Sequence, residues 1–182
     1  MRYEIDASEW INTARPLSLQ QLRGQVVMVT AFQMLCQGCA RHTLPQAAKV
    51  HETFLQRDVA VIGLHSVFEH HHVMTPDALR AFAYESRLAF PIAIDRAVEG
   101  HPLPSTMSAW GLEGTPSLLI FDRDGELAAR HFGHVDDLRL GAMLGELVRS
   151  PASQTQVPRG QDLSAKDRAP VCPIPHSSHH AL

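Results

Sequence analysis

The chain has 182 residues, with 16 Lys and Arg against 19 Asp and Glu, a formal net charge of −3. So close a balance gives no ground for nucleic acid or an acidic membrane surface as a partner. Three cysteines are too few for a disulfide-stapled secreted scaffold, and 45% apolar residues is an ordinary supply for a globular core.

In chain order, residues 17–24 read as a turn or short helix that stops at Gly24. Residues 26–32, Val-Val-Met-Val-Thr-Ala-Phe, form a short β-branched apolar run and predict a buried strand. Cys36-Gln37-Gly38-Cys39 follows at once. Over residues 40–56, Leu44, Ala47, Ala48, Val50, Phe54 and Leu55 recur at helical spacing, and Pro45 is expected to distort the first turns of that helix. Residues 59–64 predict a second buried strand. Thr75-Pro76-Asp77 supplies an N-cap, a first-turn proline and an acidic residue for a helix to about Ser86. Residues 90–95 predict a third strand, residues 96–104 a loop, and a short helix is expected near Trp110. Residues 117–121 and 126–132 predict two strands joined as a hairpin by Asp122-Arg123-Asp124-Gly125. Asp136 caps a last amphipathic helix to about Arg149. From residue 150 onward, Pro, Ser, Gln and charged residues dominate and no periodicity survives. One α/β domain over residues 1–149 and a disordered tail over 150–182 are therefore expected.

The cysteine pair carries the chemistry. Thiol–disulfide exchange needs one thiolate to attack and a second thiol to resolve the mixed disulfide. Cysteines at i and i+3 stand about one helical turn apart. A strand running into a helix puts the first cysteine at the positive end of the helix dipole, where the thiolate is favoured. Cys36 is the expected nucleophile and Cys39 the resolving thiol. Two other readings stand beside this one: half of a zinc site completed by His65, His70 or His72, and a pair of inert buried thiols.

Gly114-Thr115-Pro116-Ser117 stands just before the fourth predicted strand. With this order of strand, C-x-x-C, helix, strand, helix, strand and then G-T-P before a hairpin, the chain resembles the thioredoxin superfamily, in its TlpA-like and redoxin (AhpC/TSA-related) branch. Residues 23–27, Arg-Gly-Gln-Val-Val, resemble that branch's entry to the first core strand, and Phe121-Asp-Arg-Asp-Gly125 its hairpin turn. The resemblance covers roughly residues 17–149. It implies a thioredoxin-like fold with a central mixed β-sheet flanked by helices. It implies a cis-proline at Pro116 facing the dithiol, with the Thr115 backbone bonding an extended substrate segment. It also nominates Glu69 as a proton acceptor for Cys39. His42, three residues beyond Cys39 on the same helical face, is a candidate for tuning the thiolate.

Several positions depart from the family pattern. Leu35 stands where tryptophan is usual, Gln37-Gly38 replaces the usual proline-containing pair, and Thr30 occupies the position of a buried aspartate. Pro45 falls six residues after Cys39, where the family has five, so a wider local turn is expected.

The function implied is a thiol–disulfide oxidoreductase acting on a disulfide-containing protein or small thiol, re-reduced by an electron donor the sequence does not identify. No cofactor, metal, nucleic acid or membrane partner is expected. With no early apolar run and no stretch of membrane-spanning length, the expected location is cytoplasmic. Two alternatives remain. A peroxiredoxin-like peroxidase would need Pro-x-x-x-Thr-x-x-Cys, but Val29 and Gln33 hold those proline and threonine positions. A metal-binding module would use Glu69-His70-His71-His72, or Cys172 with His176, His179 and His180.

Overall fold

The computed structural model describes residues 3–150 and the backbone of residues 172–173. Strand β1 (Ala7–Ile11) leads to β2 (Val26–Phe32), a π turn (Cys39–Thr43), α1 (Leu44–Thr53), β3 (Val59–His65), α2 (Pro76–Glu85) and β4 (Ile92–Asp95). Then come α3 (Ser105–Ala109), β5 (Gly114–Thr115), β6 (Ser117–Phe121), β7 (Leu127–Phe132), α4 (Asp137–Arg149) and β8 (Cys172–Pro173).

Six strands form one mixed sheet in the order β1-β4-β3-β2-β6-β7. β2, β3 and β4 run parallel, whereas β1, β6 and β7 pair antiparallel with their neighbours. This is the thioredoxin-like architecture that the motif order implies. β2 lies at the centre and every residue of it is buried, which explains an apolar run that only Thr30 interrupts. Its alternate residues feed two cores. Val26, Met28 and Phe32 join Leu44, Ala47 and Val50 of α1, Leu79 of α2 and Leu140, Leu144 and Leu147 of α4 on one face. Val27, Val29 and Ala31 join Ile62, Leu64, Met107 and Trp110 on the other. Gly63 lets the first core close over β3, since a Cβ there would lie 3.0 Å from Phe90, 3.1 Å from Phe32 and 3.2 Å from Ile92.

The caps read from the sequence form. The Thr75 hydroxyl accepts from the Ala78 N–H, and the Asp136 carboxylate accepts from the Leu138 and Arg139 N–H groups. The helix expected over residues 40–56 differs: it opens as a π turn, and its α-helical part ends at Thr53, where Phe54 turns extended. In the π turn the Leu44 N–H bonds the Cys39 carbonyl, five residues back. This is the physical form of the extra residue that the position of Pro45 signals. β1 had no counterpart among the predicted elements. It runs antiparallel to β4 at the sheet edge, where Glu9 pairs with Arg80 of α2. The disorder expected over the tail concerns residues that, apart from Ser150 and the backbone of 172–173, lie outside the described ones.

Candidate active site

β2 ends at Phe32, and the chain turns at once: the Cys36 N–H bonds the Gln33 carbonyl at 3.2 Å. Helical hydrogen bonding begins there, with the Ala40 N–H on the Cys36 carbonyl at 3.0 Å. Cys36 thus sits where capping side chains sit. Its Sγ accepts the Cys39 N–H at 3.3 Å, as an N-cap oxygen accepts from the residue three positions on. That donor and the helix dipole both favour negative charge on this sulfur.

The Cys39 thiol donates to Cys36 Sγ at 2.7 Å, and Cys36 Sγ donates in turn to the Thr115 carbonyl at 3.5 Å. Burial pushes the Cys39 thiol far above its ordinary range. The hydrogen bond to Cys36 and the charge on Cys36 push the same way, opposed by the Gln33 backbone and the Thr115 hydroxyl. The two thiols are therefore unequal: negative charge belongs on Cys36, and Cys39 keeps its proton. Both sulfurs lie within the core that holds Phe32, Leu44 and Leu118, and Cys36 is only 1% exposed. Its neighbour Leu35 is exposed.

The loop before β6 completes the site. The Thr115–Pro116 peptide bond is cis. The Pro116 carbonyl accepts the Gly133 N–H at 2.8 Å, and the Ser117 hydroxyl bonds the Gly114 carbonyl at 2.7 Å. Four of the sequence-nominated residues, Cys36, Cys39, Thr115 and Pro116, thus come together.

Glu69 and His42 do otherwise. The Glu69 carboxylate accepts from Gln33 Nε2 at 3.3 Å, and no hydrogen bond joins it to Cys39 among the described residues. His42 is exposed on the π turn, and its ring faces His134 at 5.3 Å between centroids. Gln33 is the residue that sequence reasoning passed over. Fully buried, it accepts the Phe68 N–H at 3.2 Å and donates to Glu69, so it ties the dithiol turn to the loop after β3. A polar residue at the end of an otherwise apolar strand was the available signal. Among the described residues no group of three or more His, Cys, Asp or Glu side chains is placed to hold a metal ion. No helix among them is long and apolar enough to cross a membrane.

A dithiol at the start of a helix, set against a cis-proline loop on this sheet, defines the class: a thioredoxin-like redox protein. The AhpC/TSA family model matches residues 6–130, and the chain belongs to that family. A crystal structure of a thioredoxin-like superfamily protein is 47% identical, with a TM-score of 0.78, covering 81% of this chain and 96% of that one. The crystal structure of a thiol-disulfide isomerase from Corynebacterium glutamicum is 51% identical with the same coverage and a TM-score of 0.78. A thioredoxin-like protein in its oxidized form, 18% identical, shares the fold with a TM-score of 0.64, covering 81% of this chain and 96% of that one. No curated protein matches the chain. These likenesses support an oxidoreductase kind of activity.

Proposed function

We propose that the protein is a thiol–disulfide oxidoreductase that exchanges disulfides through Cys36 and Cys39. The observation that carries this reading is the asymmetric sulfur pair. Cys36 Sγ receives the Cys39 N–H and Cys39 Sγ–H, while burial and that same neighbour keep Cys39 protonated.

In the reducing direction the Cys36 thiolate attacks one sulfur of a substrate disulfide. A Cys36–substrate disulfide forms, and the other substrate sulfur leaves as a thiolate that takes up a proton. Once Cys36 is in a mixed disulfide its charge is gone, and with it one cause of the raised Cys39 pKa. Cys39 then loses its proton and attacks Cys36 Sγ, releasing the second substrate thiol and leaving the Cys36–Cys39 disulfide. Two electrons pass from the dithiol to the substrate, and a donor dithiol, or two donor thiols, restores them. The substrate is a disulfide-containing protein or small thiol; an extended segment of it pairs with the Thr115 backbone, and exposed Leu35 offers it an apolar contact. The thiol-disulfide isomerase at 51% identity supports the same chemistry.

Cys36→Ser should abolish dithiothreitol-driven reduction of a disulfide-bonded protein, by 100-fold or more. Retention of the wild-type rate in that variant overturns the proposal. Mixing the reduced protein with hydrogen peroxide separates out the peroxidase alternative, which requires fast sulfenate formation at Cys36.

A further inference from the structure

The third cysteine returns to the site from the far end of the chain. β8 lays the backbone of Cys172 and Pro173 antiparallel on β5, with Cys172 opposite Thr115 and Pro173 opposite Gly114. Thr115 is the residue whose carbonyl lies 3.5 Å from Cys36 Sγ, and it precedes the cis bond to Pro116. Opposed residues of an antiparallel ladder have Cα atoms about 4.5–5.5 Å apart. The register thus sets Cys172 one strand spacing from the backbone that touches the nucleophile.

The local sequence suits this placement. Cys172 stands directly before Pro173, with Pro170 and Pro175 flanking them. A residue before proline is held in the extended region, and a proline, which cannot donate to a ladder, is tolerated in an edge strand. Cys172 also lies beyond the residues that the family model matches. The ladder edge of Thr115 serves one strand at a time, so this segment and an incoming extended substrate compete for it.

We propose that Cys172 is a third redox thiol, which exchanges with the Cys36–Cys39 disulfide from within the same chain while its strand holds the edge of β5 against substrate. This rests on the dithiol exchange proposed above. The Cys172 thiolate attacks Cys36 Sγ. The Cys36–Cys172 bond forms as the Cys36–Cys39 bond breaks, and the departing Cys39 sulfur takes the proton that Cys172 gave up. One disulfide replaces another, so no outside oxidant or reductant is consumed. In the exchanged form the segment is pinned across Thr115 and the substrate edge is closed. Attack by Cys39 on Cys36 reverses the step and frees Cys172.

The test uses the full chain with Cys39→Ser, oxidised with glutathione disulfide and mapped by mass spectrometry after non-reducing digestion. The expected result is a Cys36–Cys172 disulfide in the majority of molecules. Cys36 joined only to glutathione, with Cys172 still open to alkylation, overturns the proposal. Should Cys39→Ser fail to fold, the wild-type protein, acid-quenched during oxidation, decides instead. A Cys36–Cys172 peptide that disappears in Cys172→Ser supports the exchange, and its absence overturns it. Loss of disulfide reduction in Cys36→Ser without any Cys36–Cys172 bond leaves the dithiol reading standing and removes only this one. Full activity in Cys36→Ser removes both.

Discussion

Two buried polar regions lie at the same end of the sheet, where the parallel strands stop, and they are built on opposite terms. At the end of β4 the Asp95 carboxylate is satisfied on every side. It accepts the Thr106 N–H at 2.7 Å, the Met107 N–H at 2.9 Å and the Ser66 hydroxyl at 2.8 Å. Around β2 and the dithiol, the buried hydroxyls of Thr30 and Thr43 and Nε2 of His65 make no hydrogen bond among the described residues. A fully satisfied buried network specifies one geometry, and an unsatisfied one does not. The Asp95 region fixes how α3 docks on the sheet. The region of β2 and the dithiol leaves some polar groups uncommitted at the end of the sheet where, in the proposed reaction, the charge and bonding of two sulfurs change.

Stability measurements would sharpen that contrast. The largest effect is expected from Asp95→Ala, which strands two backbone donors at the start of α3 and the Ser66 hydroxyl. A loss of about 4 kcal/mol is expected by urea denaturation, and a loss under 1 kcal/mol would show that the network does not organise this end of the sheet. Acid comes next. Burial lowers the His65 pKa to about 4 from 6.5, so on acidification the unfolded chain takes up a proton before the folded one does. Stability contributed by the neutral ring is complete above the unfolded value. It declines as pH falls from 6.5 to about 4, by about 3 kcal/mol in all. Asp95, whose pKa burial raises, acts in the opposite sense, so the comparison is made within one background. Between pH 7 and pH 4 the wild type should lose about 3 kcal/mol more than His65→Leu does; equal losses would break the assignment. The smallest effect is expected at Thr30. Replacing an unpartnered buried hydroxyl by a methyl in Thr30→Val should raise stability by about 1 kcal/mol, and a lower urea midpoint would mean that the hydroxyl has a partner it needs.

Most of the frame was legible because it is written locally. β2, β3 and β6 announce themselves as short apolar runs, and Thr75 and Asp136 announce α2 and α4 as caps. The dithiol and Gly114-Thr115-Pro116 were equally plain. β1 was not, because an edge strand that buries little carries little pattern, and its pairing with β4 is decided by residues some eighty positions away. Glu69, nominated for Cys39, accepts instead from Gln33, since a choice between two nearby donors is made by packing and leaves no mark in the spacing. β8 was not visible for a related reason: two residues joined to β5 through the backbone need no side-chain periodicity.

The π turn has a consequence for what can follow the dithiol. Residues five apart on an α-helix point about 140° away from one another. In a regular helix, with Cys39 directed into the core, Leu44 would swing toward solvent and take the inward stripe of α1 with it. Closure of the Leu44 N–H on the Cys39 carbonyl brings the two nearly into line along the axis, and both are buried, at 0% and 1% exposure. The wide turn is a phase adjuster. It absorbs one residue of length so that the resolving thiol and the apolar face of α1 share a direction, while Ala40, Arg41 and His42 between them are left outward and open to change.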